Sequence, residues 1–348
     1  WTPDMDVPFF AYMTKSDQRF EAHNAAFEDA IWRNVLKWPP VKWTCSAAKA
    51  AAHSLPRSLA GAGSALKLTT QKDKEGYKIM MKMCRPRKPS KKNPDIWHWT
   101  EEDFKKLCDY CMDDVRAERA ISKALRDLNE EETKVWNTDL IINRRGLNVD
   151  MDAVDAALHI SRNCLDRAHE EMGILTQGQV MKTSQVKKLT EWVRSKGVQV
   201  AGLAKQELQD ALNTDLPDDV RHALLLRQRV GKTSVAKYTS IKKAAGQDGR
   251  MRGLLLYHGG HTGRWSGKTV QPHNLPRSDS FTGKFEDYFN ILKLKQTSAF
   301  EICYPDIMGT VSAMIRPCLI PTEGSKFYGG DYSAIEARVL LWLADDEK

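Results

Sequence analysis

No apolar run in this chain is long enough to cross a bilayer, and no signal peptide opens it. A mean hydropathy of −0.52 points the same way, to a chain that folds in water. Disulfide scaffolding is excluded too, because the seven cysteines are odd in number and lack framework spacing; they suit a reducing compartment. Cys108 and Cys111 form a lone CxxC inside a helical pattern, and no second ligand pair follows to complete a zinc site. There is no internal repeat. A phosphate-cradling nucleotide loop is missing as well. Gly231-Lys232-Thr233 and Gly267-Lys268-Thr269 hold Leu226 and Thr262 where such a loop needs glycine, which rules out an ATPase of that kind. The chain starts at Trp1-Thr2-Pro3-Asp4 without an initiator Met and stops at Asp345-Asp346-Glu347-Lys348, so both ends are expected to be cuts.

What is present is basic. The 348 residues, enough for two or three domains, carry 53 Lys and Arg against 45 Asp and Glu, a net charge of +8. The excess is uneven: residues 71–95 hold nine cations against three acids, and residues 221–252 hold nine against Asp248 alone. Such runs favour a polyanionic partner, although either is also what a solvated face looks like.

Periodicity predicts a helix over Ala26–Leu36 that stops at Pro39-Pro40. Residues 85–94, with three prolines, read as an exposed basic loop. Thr100 followed by Glu101-Glu102-Asp103 reads as a helix cap with acids in the first turn. Helical pattern then covers 118–142, 150–172, 184–196, 205–212 and 218–245. Turn signals stand at Arg145-Gly146, Gly173, Gly197 and Leu216-Pro217. From 250 to 330 glycine, proline and aromatics break the pattern. Lys326–Tyr332 then reads as a strand and Ala334–Ala344 as a helix.

Two segments carry chemistry. In Gly329-Gly330-Asp331-Tyr332-Ser333-Ala334-Ile335-Glu336-Ala337-Arg338, a carboxylate stands where a strand is expected to end, with Glu336 in the first helical turn. A carboxylate so placed can hold Mg²⁺ and leave positions open for phosphate; it equally suits a helix cap. Upstream, Thr262-Gly263-Arg264-Trp265-Ser266-Gly267-Lys268-Thr269-Val270-Gln271-Pro272-His273-Asn274-Leu275-Pro276 packs cations and amides into a loop. Arg264 and Lys268 suit phosphate or a base acceptor. Gln271, His273 and Asn274 can donate to minor-groove acceptors, which look alike in every correct base pair, so the chemistry checks shape rather than sequence. A plain glycine-rich surface loop is the competing reading.

The loop resembles the signature of family A DNA polymerases that begins Thr-Gly-Arg and ends Asn-hydrophobic-Pro. The Asp331 segment resembles that family's motif A at every fixed position, and Ile315-Arg316-Pro317 with Ile320-Pro321 fits the strand entry before it. Trp265 and Gln271-Pro272 look most like the bacteriophage-type branch. The resemblance implies that Asp331 binds both catalytic metals with help from the Tyr332 carbonyl. It also implies that Glu336 excludes a ribose 2′-hydroxyl and that Arg338 completes the motif beside the substrate. Arg264 would contact the minor groove at the primer end, with Gln271, His273 and Asn274 nearby; His273 departs from the Gln of many relatives. His23-Asn24-Ala25-Ala26-Phe27-Glu28 resembles the second proofreading-exonuclease motif, with Glu28 in the usual Asp place. Tyr110-Cys111-Met112-Asp113-Asp114 fits the third, in which Tyr110 orients water and Asp114, like Glu28, binds metal.

Several family parts are absent. The first exonuclease motif is missing, and Asp4-Met5-Asp6, between Pro3 and Pro8, does not replace it. Nor do the nucleotide-binding helix and the second metal-binding turn follow. The resemblance therefore implies an α+β multidomain fragment: a partial RNase H-like 3′–5′ exonuclease domain over 1–125, a largely helical thumb over 126–250, and the start of a polymerase palm over 251–348. Its thumb would grip duplex backbone through the basic run 221–243. Its partners would be primer–template DNA and dNTPs, with no membrane, its cofactor a pair of Mg²⁺ ions, and its location the cytoplasm of a bacterial host as a phage or prophage product. Alone, the fragment is expected to be inactive. The rival reading is a non-catalytic DNA-binding module or one half of a split polymerase.

Overall fold

A computed structural model describes residues 19–68, 73–89, 95–231, 233–260, 262–279 and 281–345. Asp4-Met5-Asp6, residues 90–94 of the basic loop and Lys232 lie outside them. Helices and sheets both occur, in two compact units: residues 1–144 with 253–271, and residues 145–252 with 272–348. The strands are β1 (Arg19–Ala22), β2 (Lys42–Cys45), β3 (Leu147–Val149), β4 (Arg250–Met251), β5 (Leu255–Leu256), β6 (Ser266–Gly267) and β7 (Leu319–Ile320).

In the first unit, β1 and β2 pair in parallel from Arg19 opposite Lys42 to Ala22 opposite Cys45. The crossover between them carries α1 (Ala26–Ala30), which widens into a π-turn over Ile31–Val35 and ends before Pro39. Helix α2 (Ser46–Ala52) buries Ser46 through Ala51, because small side chains let neighbouring backbones approach. Lys49 is the exception in that run. Its ammonium lies 2.6 Å from both Glu21 and Asp127 and donates to Ser122 at 2.9 Å, the pairing a buried charge requires. Burial alone would lower the Lys49 pKa, but the Asp127 and Glu21 carboxylates outweigh it and raise it. Helices α3 (Leu59–Ala65) and α4 (Lys74–Met83) lead to α5 (Glu101–Ala124), whose N-terminus is capped as expected: Thr100 Oγ1 accepts from the Asp103 amide at 3.1 Å.

The expected single helix over 118–142 is two helices. Helix α5 ends at Ala124 with Leu125 extended, and α6 (Glu130–Arg145) starts afresh. Asn129 causes the restart, its Oδ1 accepting from the Glu132 amide at 2.8 Å while Glu130, Glu131 and Glu132 complement the helix dipole.

The second unit is built on α7 (Met151–Leu175), whose residues Val154, Ala157, Ile160, Cys164, Ala168 and Met172 recur at helical spacing and are all buried. Helices α8 (Val186–Ser195) and α9 (Lys205–Leu212) follow it, α9 packing on α10 (Asp218–Val230), while α10, α11 (Ala236–Ala244), α12 (Phe285–Lys293), α13 (Thr297–Cys303) and α14 (Ile307–Ala313) pack against α7 itself. The turn expected at Gly173 does not occur. The helix runs through it and stops at Thr176, whose hydroxyl donates to Met172 O at 2.8 Å and accepts from the Val180 amide at 3.0 Å. At Arg145-Gly146 the expected turn is real: Gly146 has φ +65°, and a Cβ there would lie 2.2 Å from Met251 O. That turn feeds β3, which forms the centre of an antiparallel sheet in the order β4-β3-β7.

Candidate nucleic-acid interface and carboxylate sites

Strands β5 and β6 pair antiparallel, Leu255 opposite Gly267 and Leu256 opposite Ser266, so the Thr262-Gly263-Arg264 turn is the tip of a hairpin. Gly263 has φ +78° and a Cβ would meet His258 at 3.2 Å, so the second residue of the signature is set by backbone shape. The Gly260 amide donates to Arg264 O at 3.0 Å and closes the turn. Arg264 and Lys268 are exposed, whereas Val270 is buried beneath them. His258, Thr269 and Gln271 all take left-handed backbone conformations, at φ 46°, 56° and 54°. For a β-branched residue such as Thr269 that is strain that its surroundings must hold.

The loop passes from the first unit to the second between Gln271 and Pro272. In the second unit, Pro272–Asn274 forms a 3₁₀ turn anchored by buried Leu275, whose carbonyl accepts from Arg316 at 2.6 Å. His273 and Asn274 are exposed, as is Gln271 in the first unit. All five polar residues read from the loop therefore face solvent on buried apolar anchors.

The basic run 221–252 behaves differently. Arg221 and Arg227 donate to main-chain carbonyls of Leu212, Thr214, Thr183 and Leu203. Arg229 pairs with Glu301, Lys242 with Asp155 and Arg252 with Asp248. Arg250 bonds Arg145 O and Thr322, and Lys237 bonds Asn274 O. Seven of its nine cations thus hold their own unit together, which leaves Lys243 exposed and Lys232 outside the described residues. Charge counting along the chain could not separate these uses.

The exonuclease-like residues sit on α1 and α5. Tyr110 and Asp114 are one helical turn apart on α5, and Tyr110 is 4% exposed, its ring so close to α4 that a Cβ on Gly76 would stand 2.5 Å away. Glu28, in the first turn of α1, has a buried Oε2 without a hydrogen-bond partner. Burial raises its pKa above the ordinary carboxylate value. Sequence reading missed Glu118, one turn beyond Asp114, although the spacing 110, 114, 118 marks one face of a helix. Burial raises the Glu118 pKa also, against a hydrogen bond from Ser46, with the Glu21 and Glu28 carboxylates adding to the rise. The folded state therefore binds protons at these groups more tightly than the unfolded chain does. The resulting stability is full below the unfolded pKa near 4.5 and is lost as pH rises through the folded values. Glu118→Gln is thus expected to raise the melting midpoint by a few degrees at pH 7.5 and by little at pH 4.5. Equal shifts at both pH values would remove this account.

Asp331 lies in a different setting. Every residue from Thr322 to Asp345 is exposed, including Asp331, Tyr332, Glu336 and Arg338. The strand expected over Lys326–Tyr332 is absent: β7 ends at Ile320, Pro321 lacks an amide to continue the ladder, and the chain turns at Gly324 with φ +73°. Helix α15 (Ile335–Leu343) follows, with Glu336 in its first turn. Its cap position is Ala334, left-handed at φ 51° and without a side-chain cap bond, so Asp331 does not serve as a helix cap.

As donors, Asp331 and the Tyr332 carbonyl are hard oxygens of the kind Mg²⁺ takes, and the orphaned Glu28 oxygen suits a cation too. Among the described residues, however, no three His, Cys, Asp or Glu side chains converge as a metal site. The residues present do not by themselves fit a two-metal centre. Among those residues, too, no helix is long and apolar enough to cross a membrane.

No known protein-family profile matches the chain. It is similar to a protein named DNA polymerase from Bacillus phage SP02, with 36% identity over 354 aligned positions covering 96% of this chain and 52% of that protein. The chain spans about half the length of the relative that it matches.

Proposed function

We propose that this chain is part of a phage-type family A DNA polymerase, adding dNTPs to a primer 3′ end along a template. The observation that carries the reading is 36% identity to a phage DNA polymerase along nearly the whole chain. Two features of the structure support it. The polar residues of the hairpin in the first unit, and separately those of the 3₁₀ turn in the second, are exposed as groove contacts need to be, and Asp331 stands exposed and unused as a cap.

In this reading Arg264 and Lys268 hold the primer end and Gln271, His273 and Asn274 read the minor groove. Asp331 contributes one carboxylate to a Mg²⁺ site whose other ligands are not gathered among the described residues. Glu28, Tyr110 and Asp114 form part of a proofreading-type site. The converging carboxylates absent among the described residues favour one second reading, a DNA-binding part that needs a complementary polypeptide for catalysis.

A primer-extension assay separates them. Glu336→Ala, in the smallest form of the protein that extends a primer, is expected to reduce discrimination against ribonucleotides by about tenfold or more, since a side chain that excludes a hydroxyl is lost. An unchanged ratio would take the gate role from Glu336. Failure of every form containing this chain to extend a primer would favour the binding part.

A further inference from the structure

Helix α6 carries Glu132, Trp136, Asp139 and Asn143 at intervals of four, three and four residues, a single stripe along one face. Each member of that stripe reaches the hairpin. Asn143 binds the entry of β5 on both sides of Leu255, its Nδ2 donating to Leu255 O at 3.2 Å and its Oδ1 accepting from the Leu255 amide at 2.9 Å. Its own carbonyl accepts from Gly253 at 3.1 Å. Trp136 packs in the same buried cluster as Tyr257. Glu132 accepts from the Tyr257 hydroxyl at 2.6 Å and lies 3.1 Å from His258 Nε2. Asp139 accepts from the Trp265 indole N–H at 2.8 Å.

The Asp139 contact is unusual in cost. The residue is 6% exposed, and burial raises its pKa against the bonds from Trp265 and Asn143 and the nearby charges of Arg57 and Lys268. A buried carboxylate is an expensive way to fasten an indole that is itself 44% exposed. An apolar residue would pack against α6 more cheaply. What the carboxylate adds is direction: one accepting oxygen fixes the rotation of the residue that follows Arg264 in the chain. Around it the backbone is strained at His258, Thr269 and Gln271 and needs an outside hold.

We propose that Asp139 is a positioning residue, acting through Trp265 to aim Arg264 at a nucleic-acid backbone or groove edge. This rests on the reading of the hairpin as a DNA contact, and the experiment separates the two ideas. The 348-residue chain is titrated against a fluorescently labelled primer–template by anisotropy, for the variants Arg264→Ala, Asp139→Ala, Asp139→Asn, Trp265→Phe and the Asp139→Ala/Arg264→Ala pair. Arg264→Ala is expected to weaken binding about tenfold, the loss typical of one arginine contact. Asp139→Ala and Trp265→Phe should each lose several-fold, Trp265→Phe keeping an aromatic ring while removing the pyrrole part of the indole and its N–H. Asp139→Asn, which retains an accepting oxygen, should recover most of the loss. The double variant should bind no more weakly than Arg264→Ala alone, because a residue acting through Arg264 has nothing left to aim. Additive losses, or full affinity in both Asp139→Ala and Trp265→Phe beside a weakened Arg264→Ala, would overturn the positioning role. Unchanged affinity in Arg264→Ala would instead overturn the DNA-contact reading, and the positioning role with it. Should Asp139→Ala fail to fold, Trp265→Phe against Arg264→Ala decides alone.

Discussion

Asp331→Ala is expected to lower nucleotide addition by about 10³-fold or more while leaving primer–template affinity within about twofold. The estimate follows from a metal-held phosphoryl group being stabilised by several kcal/mol in the transition state, each 1.4 kcal/mol or so counting tenfold in rate. Its specificity follows from the structure. Asp331 is exposed, lies outside any ladder and does not cap α15, so truncation is expected to change stability by no more than about 0.5 kcal/mol. A loss of turnover could not then be assigned to misfolding. The measurement is single-turnover extension of a labelled primer, alongside anisotropy and a melting curve, in the smallest form that extends a primer. Retained turnover would show that the metal-binding carboxylate lies elsewhere. Lost affinity would show that Asp331 acts in DNA binding instead.

The parts of this structure that sequence made legible are those fixed by local chemistry. Thr100 caps α5 because a hydroxyl three residues before an amide needs nothing distant, and Gly146 marks its turn because only a residue without a Cβ fits against Met251 O. Local signals misled where a neighbour decided the outcome. Residues 118–142 kept helical periodicity across a break that the Asn129 side chain imposes. Lys326–Tyr332 has the composition of a strand, yet no strand lies beside it among the described residues, and composition cannot supply a ladder partner. Parallel pairing of β1 with β2 was invisible for the same reason, each being four residues long.

The candidate sites divide along the same line. Arg264, Lys268 and Asp331 could be picked out as candidates because their motifs are contiguous. Asp139 and Glu132 were not, since each is one acid on an amphipathic helix until the hairpin, more than a hundred residues later, folds against it. Basic run 221–252 shows what a count of charges leaves out. Its density suggested a phosphate grip, and seven of its nine cations instead hold carbonyls and carboxylates of their own unit.

That redistribution sharpens what salt should do. Binding of the chain to primer–template DNA is expected to fall with a log–log slope near about −4, the value for roughly five neutralised phosphates. Between 50 and 200 mM salt this amounts to a loss of about 250-fold. The lower number suits a fold in which seven of the nine cations of the run 221–252 already bond carbonyls and carboxylates of their own unit, while Lys268 on the hairpin segment is exposed. Were the whole run 221–252 free to meet phosphate, the same rule would give a slope beyond about −8. Salt titration therefore reads which cations the fold has already committed. A slope near −4 that falls by about one unit in Lys268→Ala and stays unchanged in Lys242→Ala, whose ammonium is 2.6 Å from Asp155, would bear out the assignment. Affinity independent of salt would remove phosphate contact altogether. A slope near −8 would mean that the ion pairs of α10 and α11 open on binding and exchange their carboxylates for DNA.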